Sequence, residues 1–104
     1  MEENKYKIVY LPLAYKDLIE LTDYLLDNSV SKREIVNYIN GLKNTISTLE
    51  TFPMRGKSYN STKKRKAEYR FIIYKAHMIF YVIKDQSVGI RRVLHKKRDL
   101  KNFF

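Results

Sequence analysis

The stretch from Glu68 to Asp99 constrains this chain more than any other. It reads EYRFIIYK, AHMIFYVIK and VGIRRVLHKKRD, three runs dense in Val, Ile, Tyr and Phe, with short polar breaks at Lys75-Ala76 and Asp85-Gln86-Ser87. β-branched and aromatic runs of that length between tight breaks predict a meander of three antiparallel strands. The third run carries Arg91 and Arg92 and ends in His95-Lys96-Lys97-Arg98-Asp99. A sheet that ends in clustered cations is a platform for something anionic.

The segments before it supply what such a sheet needs for cover. Tyr6 to Leu11 reads as a short strand stopped by Pro12, which cannot donate to a ladder. Ala14, Leu18, Leu21 and Leu25 recur at helical spacing, with Lys16, Asp17, Glu20 and Asp23 expected on the opposite side, which predicts a helix from Pro12 to about Asp27. Asn28 suits the left-handed position that closes a helix. Ser31-Lys32-Arg33-Glu34 has the form of a capping box, and the helix it starts carries Ile35, Ile39, Leu42, Ile46 and Leu49 on one stripe before Phe52-Pro53 stops it. Two striped helices joined by a short turn form an antiparallel hairpin. The stripes are expected to bury against Phe71, Ile73, Ile79, Tyr81 and Leu94, or their strand neighbours. The fold class is therefore α+β: a small antiparallel sheet of a strand and a three-stranded meander, with the helical hairpin on one face. At 104 residues it forms a single domain spanning residues 1–104.

Met54 to Ala67 reads as a loop. Gly56 permits a turn, and Lys63, Lys64, Arg65 and Lys66 form a block of like charge that resists burial. Charge is strongly segregated: residues 1 to 54 carry 6 Lys or Arg against 8 acids, whereas residues 55 to 104 carry 15 against 3, a net of +12. Such a field attracts polyanions or an acidic protein. Lys63–Lys66, Arg91, Arg92, Lys96 and Lys97 are the candidate contacts to nucleic acid or another target. Tyr59 is a candidate base-stacking residue, while Tyr69, Tyr74 and Tyr81 read as strand packing.

The chain has no cysteine, so disulfides and thiolate metal sites are excluded, and a cytoplasmic location is expected. No apolar run approaches membrane-spanning length. No metal-ligand spacing, nucleophile motif or phosphate-cradling glycine loop is present, so no cofactor is expected.

The order strand, helix, helix, meander resembles the RelE/ParE superfamily of toxins from type II toxin–antitoxin modules. The resemblance is carried by Tyr10-Leu11-Pro12-Leu13-Ala14 with Asp17-Leu18, by Leu49 to Gly56, by Tyr69-Arg70 and by Ala76 to Tyr81. Most of all it is carried by the ending Arg92-Val93-Leu94-His95-Lys96-Lys97-Arg98-Asp99. It implies a toxin with an acidic cognate antitoxin, as a homodimer or a hetero-oligomer with that antitoxin. One branch of this superfamily cleaves mRNA in the ribosomal A site, and the ParE-type branch poisons DNA gyrase without nuclease residues. RNA cleavage requires a base for the 2′-hydroxyl, cations on the phosphate and an acid for the leaving oxygen. At the positions that resemble the nuclease set, this chain has Arg70 but Ile72, Met78 in place of an arginine, and Arg98. Phe103 or Phe104 stands near the family's terminal tyrosine. The resemblance therefore favours a ParE-like gyrase poison, with a ribosome-dependent mRNA endonuclease as the alternative. Arg98, His95 and Arg70 are its catalytic candidates, and His77 is a further imidazole whose role is open.

Overall fold

The computed structural model describes residues 5–59 and 68–98. Its elements are β1 (Lys7–Tyr10), α1 (Pro12–Asp27), α2 (Lys32–Ser47), β2 (Lys57–Tyr59), β3 (Tyr69–Tyr74), β4 (His77–Lys84) and β5 (Ser87–His95), with 3₁₀ turns at Thr48–Glu50 and Pro53–Arg55. The α+β class is as expected, and the meander β3–β4–β5 is antiparallel throughout. Its two hairpins turn on single left-handed residues, Lys75 (φ 50°) and Asp85 (φ 55°).

The sheet itself differs from expectation in two respects. It has five strands in the order β1-β5-β4-β3-β2, and β1 lies parallel to β5, so the sheet is mixed. The parallel pairing arises because α1 and α2 carry the chain across the sheet before the meander begins, and β1 closes the edge that β5 leaves open. The extra strand, β2, pairs antiparallel with β3 inside a segment expected to be a loop. Three residues of modest β propensity become a strand because the β3 edge offers unpaired backbone groups.

The helix ends follow their local chemistry. Pro12 occupies the first turn of α1, where its missing N–H is not needed. At the other end the left-handed residue is Ser29 (φ 62°), one position beyond the expected Asn28 (φ −98°). Ser29 N–H donates to Leu26 O and Val30 N–H to Leu25 O, the paired bonds of a Schellman closure. Asn28 contributes instead through its side-chain amide, which donates to Tyr24 O at 2.8 Å. Ser31 caps α2 by accepting from Glu34 N–H at 3.2 Å. The Glu34 carboxylate accepts from the Ser31 hydroxyl rather than from its backbone N–H.

Both helices cover one face. Leu18, Leu42, Ile46 and Leu49 pack there with Ile72, Ile79, Tyr81, Val88, Ile90 and Val93. Of the expected sheet partners, Ile79 and Tyr81 are in this core, whereas Phe71 and Leu94 belong to a second cluster with Tyr59, Tyr69, Met78 and Phe80. Their strand neighbours Ile72 and Val93 take the helix-facing places, and Ile73 is exposed. Alternation along a strand assigns neighbours to opposite faces, so a displacement of one residue exchanges the two sets. A bulge contributes: Phe80 pairs with Arg92 and Tyr81 with Ile90, leaving Arg91 as the extra residue of β5. No helix of the described residues is long and apolar enough to cross a membrane.

Candidate functional site

At the end of the sheet where β4 begins and β5 finishes, the hairpin of α1 and α2 leaves a cavity of about 750 Å³. The volume lies in the range of ligand-sized pockets. Leu21, Tyr24 and Leu25 of α1, together with Val30, form an apolar wall. Glu20 and Glu34 supply carboxylates, while His77, His95 and Arg98 line the strand side. This arrangement can hold an apolar segment that carries charges of both signs at its margins.

The two histidines of the wall are held by specific contacts. His77, the first residue of β4, is buried, and its Nδ1 lies 2.8 Å from the hydroxyl of Tyr38 on α2. Burial, reinforced by the neighbouring His95, lowers the pKa of His77 below its usual value. Burial likewise raises the Tyr38 phenol above its usual value, so the pair is neutral near pH 7. The two imidazoles meet edge to face, with ring centres 5.4 Å apart. His95 Nδ1 accepts the Lys97 backbone N–H at 3.1 Å, which places the proton of a neutral His95 on Nε2.

Beneath the cavity a buried ion pair joins the first helix to the last strand. Arg92 donates from Nε and Nη2 to the two oxygens of Asp17 at 2.8 and 2.9 Å. Val93 N–H donates to the same carboxylate at 2.9 Å. Asp17 thus faces the sheet, contrary to its expected place on the solvent side of α1. The cause is geometric: Asp17 lies one turn from Ala14 and Leu21, at the margin of the apolar stripe, where the β5 bulge presents Arg92. The attraction of Asp17 raises the Arg92 pKa still further.

The structure brings together some of the sequence-predicted residues and separates others. Arg98 and His95 line the same cavity. Arg70 does not: its guanidinium donates to Gly56 O at 2.8 Å, near the opposite end of the strands, and lies 3.7 Å from Glu68. Arg91 sits over the Tyr69 ring at 5.5 Å. Lys96 and Lys97 are exposed in the turn after β5. Tyr59 packs edge to face on Phe80 at 5.3 Å, a structural role for the residue considered for stacking. Lys63, Lys64, Arg65, Lys66, Asp99, Phe103 and Phe104 lie outside the described residues. Ile72, at the nuclease-like position, is only 5% exposed in the helix-facing core, and Met78 packs into the second cluster.

Asp17, Tyr38 and Glu34 were not predicted as site residues. Asp17 does stand within one of the motifs that carry the resemblance, beside Leu18, so a signal for it existed. Tyr38 has none, because its partner His77 is 39 positions away.

The sequence matches the model of a family described as "ParE toxin of type II toxin-antitoxin system, parDE" over residues 8–100. No curated protein matches it. Among solved structures it is similar to the chromosomal ParDE TA system from P. aeruginosa, with a TM-score of 0.71 and 10% identity over 89% of this chain and 98% of that one. It is also similar to the toxin–antitoxin complex RelBE2 from Mycobacterium tuberculosis, with a TM-score of 0.57 and 19% identity over 93% of this chain and 98% of that one. At these identities the structures speak to the fold, and the family match covers every element described above except the first residue of β1. The chain belongs to the ParE toxin family of type II toxin–antitoxin systems.

Proposed function

We propose that this toxin arrests growth by binding and trapping DNA gyrase, and that an acidic cognate antitoxin holds it inactive in the cytoplasm. The observation that carries the proposal is the fate of the strand positions where the nuclease branch needs cations. Ile72 is a core residue and Met78 packs among aromatics, so a charged phosphate finds no partner at either. Arg70 is occupied with the carbonyl of Gly56 and is remote from the cavity that holds His95 and Arg98. A dispersed set of cations cannot stabilise one scissile phosphate.

The antitoxin reading rests on the cavity and on charge. A segment that folds on binding can lay apolar side chains on Leu21, Leu25 and Val30, and its carboxylates are drawn to a half-chain of net +12. The structural relatives are a chromosomal ParDE TA system and the toxin–antitoxin complex RelBE2, which supports a partner of that kind here.

One observation favours the mRNA endonuclease as a second reading: His77, His95 and Arg98 line a single cavity. Gyrase supercoiling and translation-coupled mRNA cleavage, assayed on one preparation, separate the two. The gyrase reading expects supercoiling to fall and mRNA to stay intact, in wild type and in His95→Ala alike. Codon-phased cuts that weaken roughly 100- to 1000-fold in Arg98→Ala, with gyrase unaffected, would refute it.

A further inference from the structure

The loop that follows α2 combines two properties that seldom occur together. Phe52 and Met54 are 68% and 63% exposed, Phe52 being the most exposed of the large apolar side chains described. Yet the backbone that carries them is held from every side. Phe52 N–H donates to Thr48 O at 3.2 Å, and Arg55 N–H to Phe52 O at 3.2 Å. Arg55 Nε donates to Thr48 Oγ1 at 3.0 Å. The fully buried Tyr81 donates its hydroxyl to Pro53 O at 2.6 Å and accepts from Gly56 N–H at 3.1 Å. Arg70 closes the ring through Gly56 O at 2.8 Å. Pro53, between the two exposed side chains, is buried and anchors them.

Exposed apolar groups on a backbone held by this many hydrogen bonds are suited to binding, because little further backbone ordering is needed at the interface. Phe and Met with a flanking Arg also match the residue types enriched at such contacts. The neighbouring cations Arg55 and Lys57 are exposed and have no ion-pair partner among the described residues, whereas Glu68 is bound by Ser58 and Arg70.

We infer that this knob is where the toxin engages its folded protein target, with Phe52 and Met54 entering an apolar pocket rimmed by carboxylates. The inference rests on the reading of the chain as a poison of a protein target. Shape distinguishes this partner from the antitoxin. Exposed apolar side chains on an anchored backbone are complemented by a preformed concavity such as a folded protein supplies, while the cavity at the His77 end takes a segment that folds on arrival. None of Phe52 to Lys57 lines that cavity. Tyr81, which holds the knob, lies four residues along β4 from His77, about 13 Å at the rise of a strand.

The test is the double variant Phe52→Ala/Met54→Ala, with Lys57→Glu as a second variant whose change is purely electrostatic. Three properties are measured for the full chain: thermal midpoint, growth arrest on induction at matched soluble level, and binding to the proposed antitoxin, sought as the acidic protein of a neighbouring gene. The double variant should keep its midpoint and its binding to the neighbouring protein, while growth arrest weakens by at least about tenfold. Lys57→Glu should weaken arrest in the same direction. Undiminished arrest in the double variant overturns the inference. So does a parallel loss of binding to the neighbouring protein, which would give the knob to the antitoxin, or a fall in the midpoint, which would make it structural. Pull-down of purified gyrase by wild type tests the separate naming of the target. If it fails while the double variant still loses arrest, the knob stands and the gyrase reading falls.

Discussion

Removing the Asp17 carboxylate tests the polar contact that ties α1 to β5. In Asp17→Ala the Arg92 guanidinium, whose side chain is 16% exposed, loses its two bonds to Asp17, and the Val93 N–H loses the acceptor that Asp17 provides. The Asp17 side chain is itself only 6% exposed, so in the folded protein the pair is largely shielded from water. Breaking a buried pair from one side costs about 3–5 kcal/mol, because the charge left behind loses its bonded carboxylate. A domain of this size has a total stability of about 5–15 kcal/mol, and each kcal/mol moves the midpoint by roughly 4–8 °C. The midpoint should therefore fall by well over ten degrees (about 12 °C at the smallest) in thermal unfolding followed by circular dichroism. Replacing both partners by apolar residues, Asp17→Leu with Arg92→Met, should recover part of the loss, since the desolvation cost of the pair disappears with its attraction while the Val93 N–H still lacks the Asp17 acceptor. Urea titration of the two single variants and the double closes the cycle. A single variant that loses less than about 1 kcal/mol would refute the reasoning, since that is the scale of an exposed pair.

Leu42 is fully buried between α2 and the sheet, and Leu42→Ala should cost about 2–5 kcal/mol in urea denaturation. Gly56→Ala should destabilise by about 1–3 kcal/mol, because a methyl there meets the Tyr81 hydroxyl and lies 2.8 Å from Phe71 O; an unchanged midpoint would contradict this. For His77 the sign follows from its lowered pKa. The neutral ring contributes stability that is complete above its ordinary value of 6.5 and is lost as pH falls through the lower folded value. Midpoints measured from about pH 7 to pH 5 should drop more steeply in wild type than in His77→Asn, and equal slopes would remove the burial argument.

Much of the local structure was legible because its causes are local. Pro12 and the Ser31–Glu34 cap lie within a turn of the helix ends they set, and each acts through neighbouring backbone groups. By contrast, α2 ends at Ser47, before the expected stop at Phe52-Pro53, and Leu49 falls in the 3₁₀ turn that follows. The candidate site was legible only in pieces. His95 and Arg98 were picked out by the ending that carries the family resemblance, and they do share a cavity. Arg70 stood beside them in the same reading, yet its guanidinium is committed to Gly56 O.

What the sequence by itself determined was the α+β class, the two apolar helix stripes, the three meander strands and the concentration of positive charge after residue 54. These follow from periodicity, turn chemistry and composition, which are properties of neighbours along the chain. Only the tertiary structure decided that β1 runs parallel beside β5, that Lys57–Tyr59 becomes a strand, and that Ile72 rather than Ile73 faces the helices. It alone turned Asp17 inward onto Arg92 and set the Tyr81 hydroxyl under the Phe52–Met54 knob. The physical reason is common to all of these. Edge pairing, strand register and buried polar partners are settled by groups tens of residues apart that each need a partner out of water, and no short-range pattern encodes which ones meet.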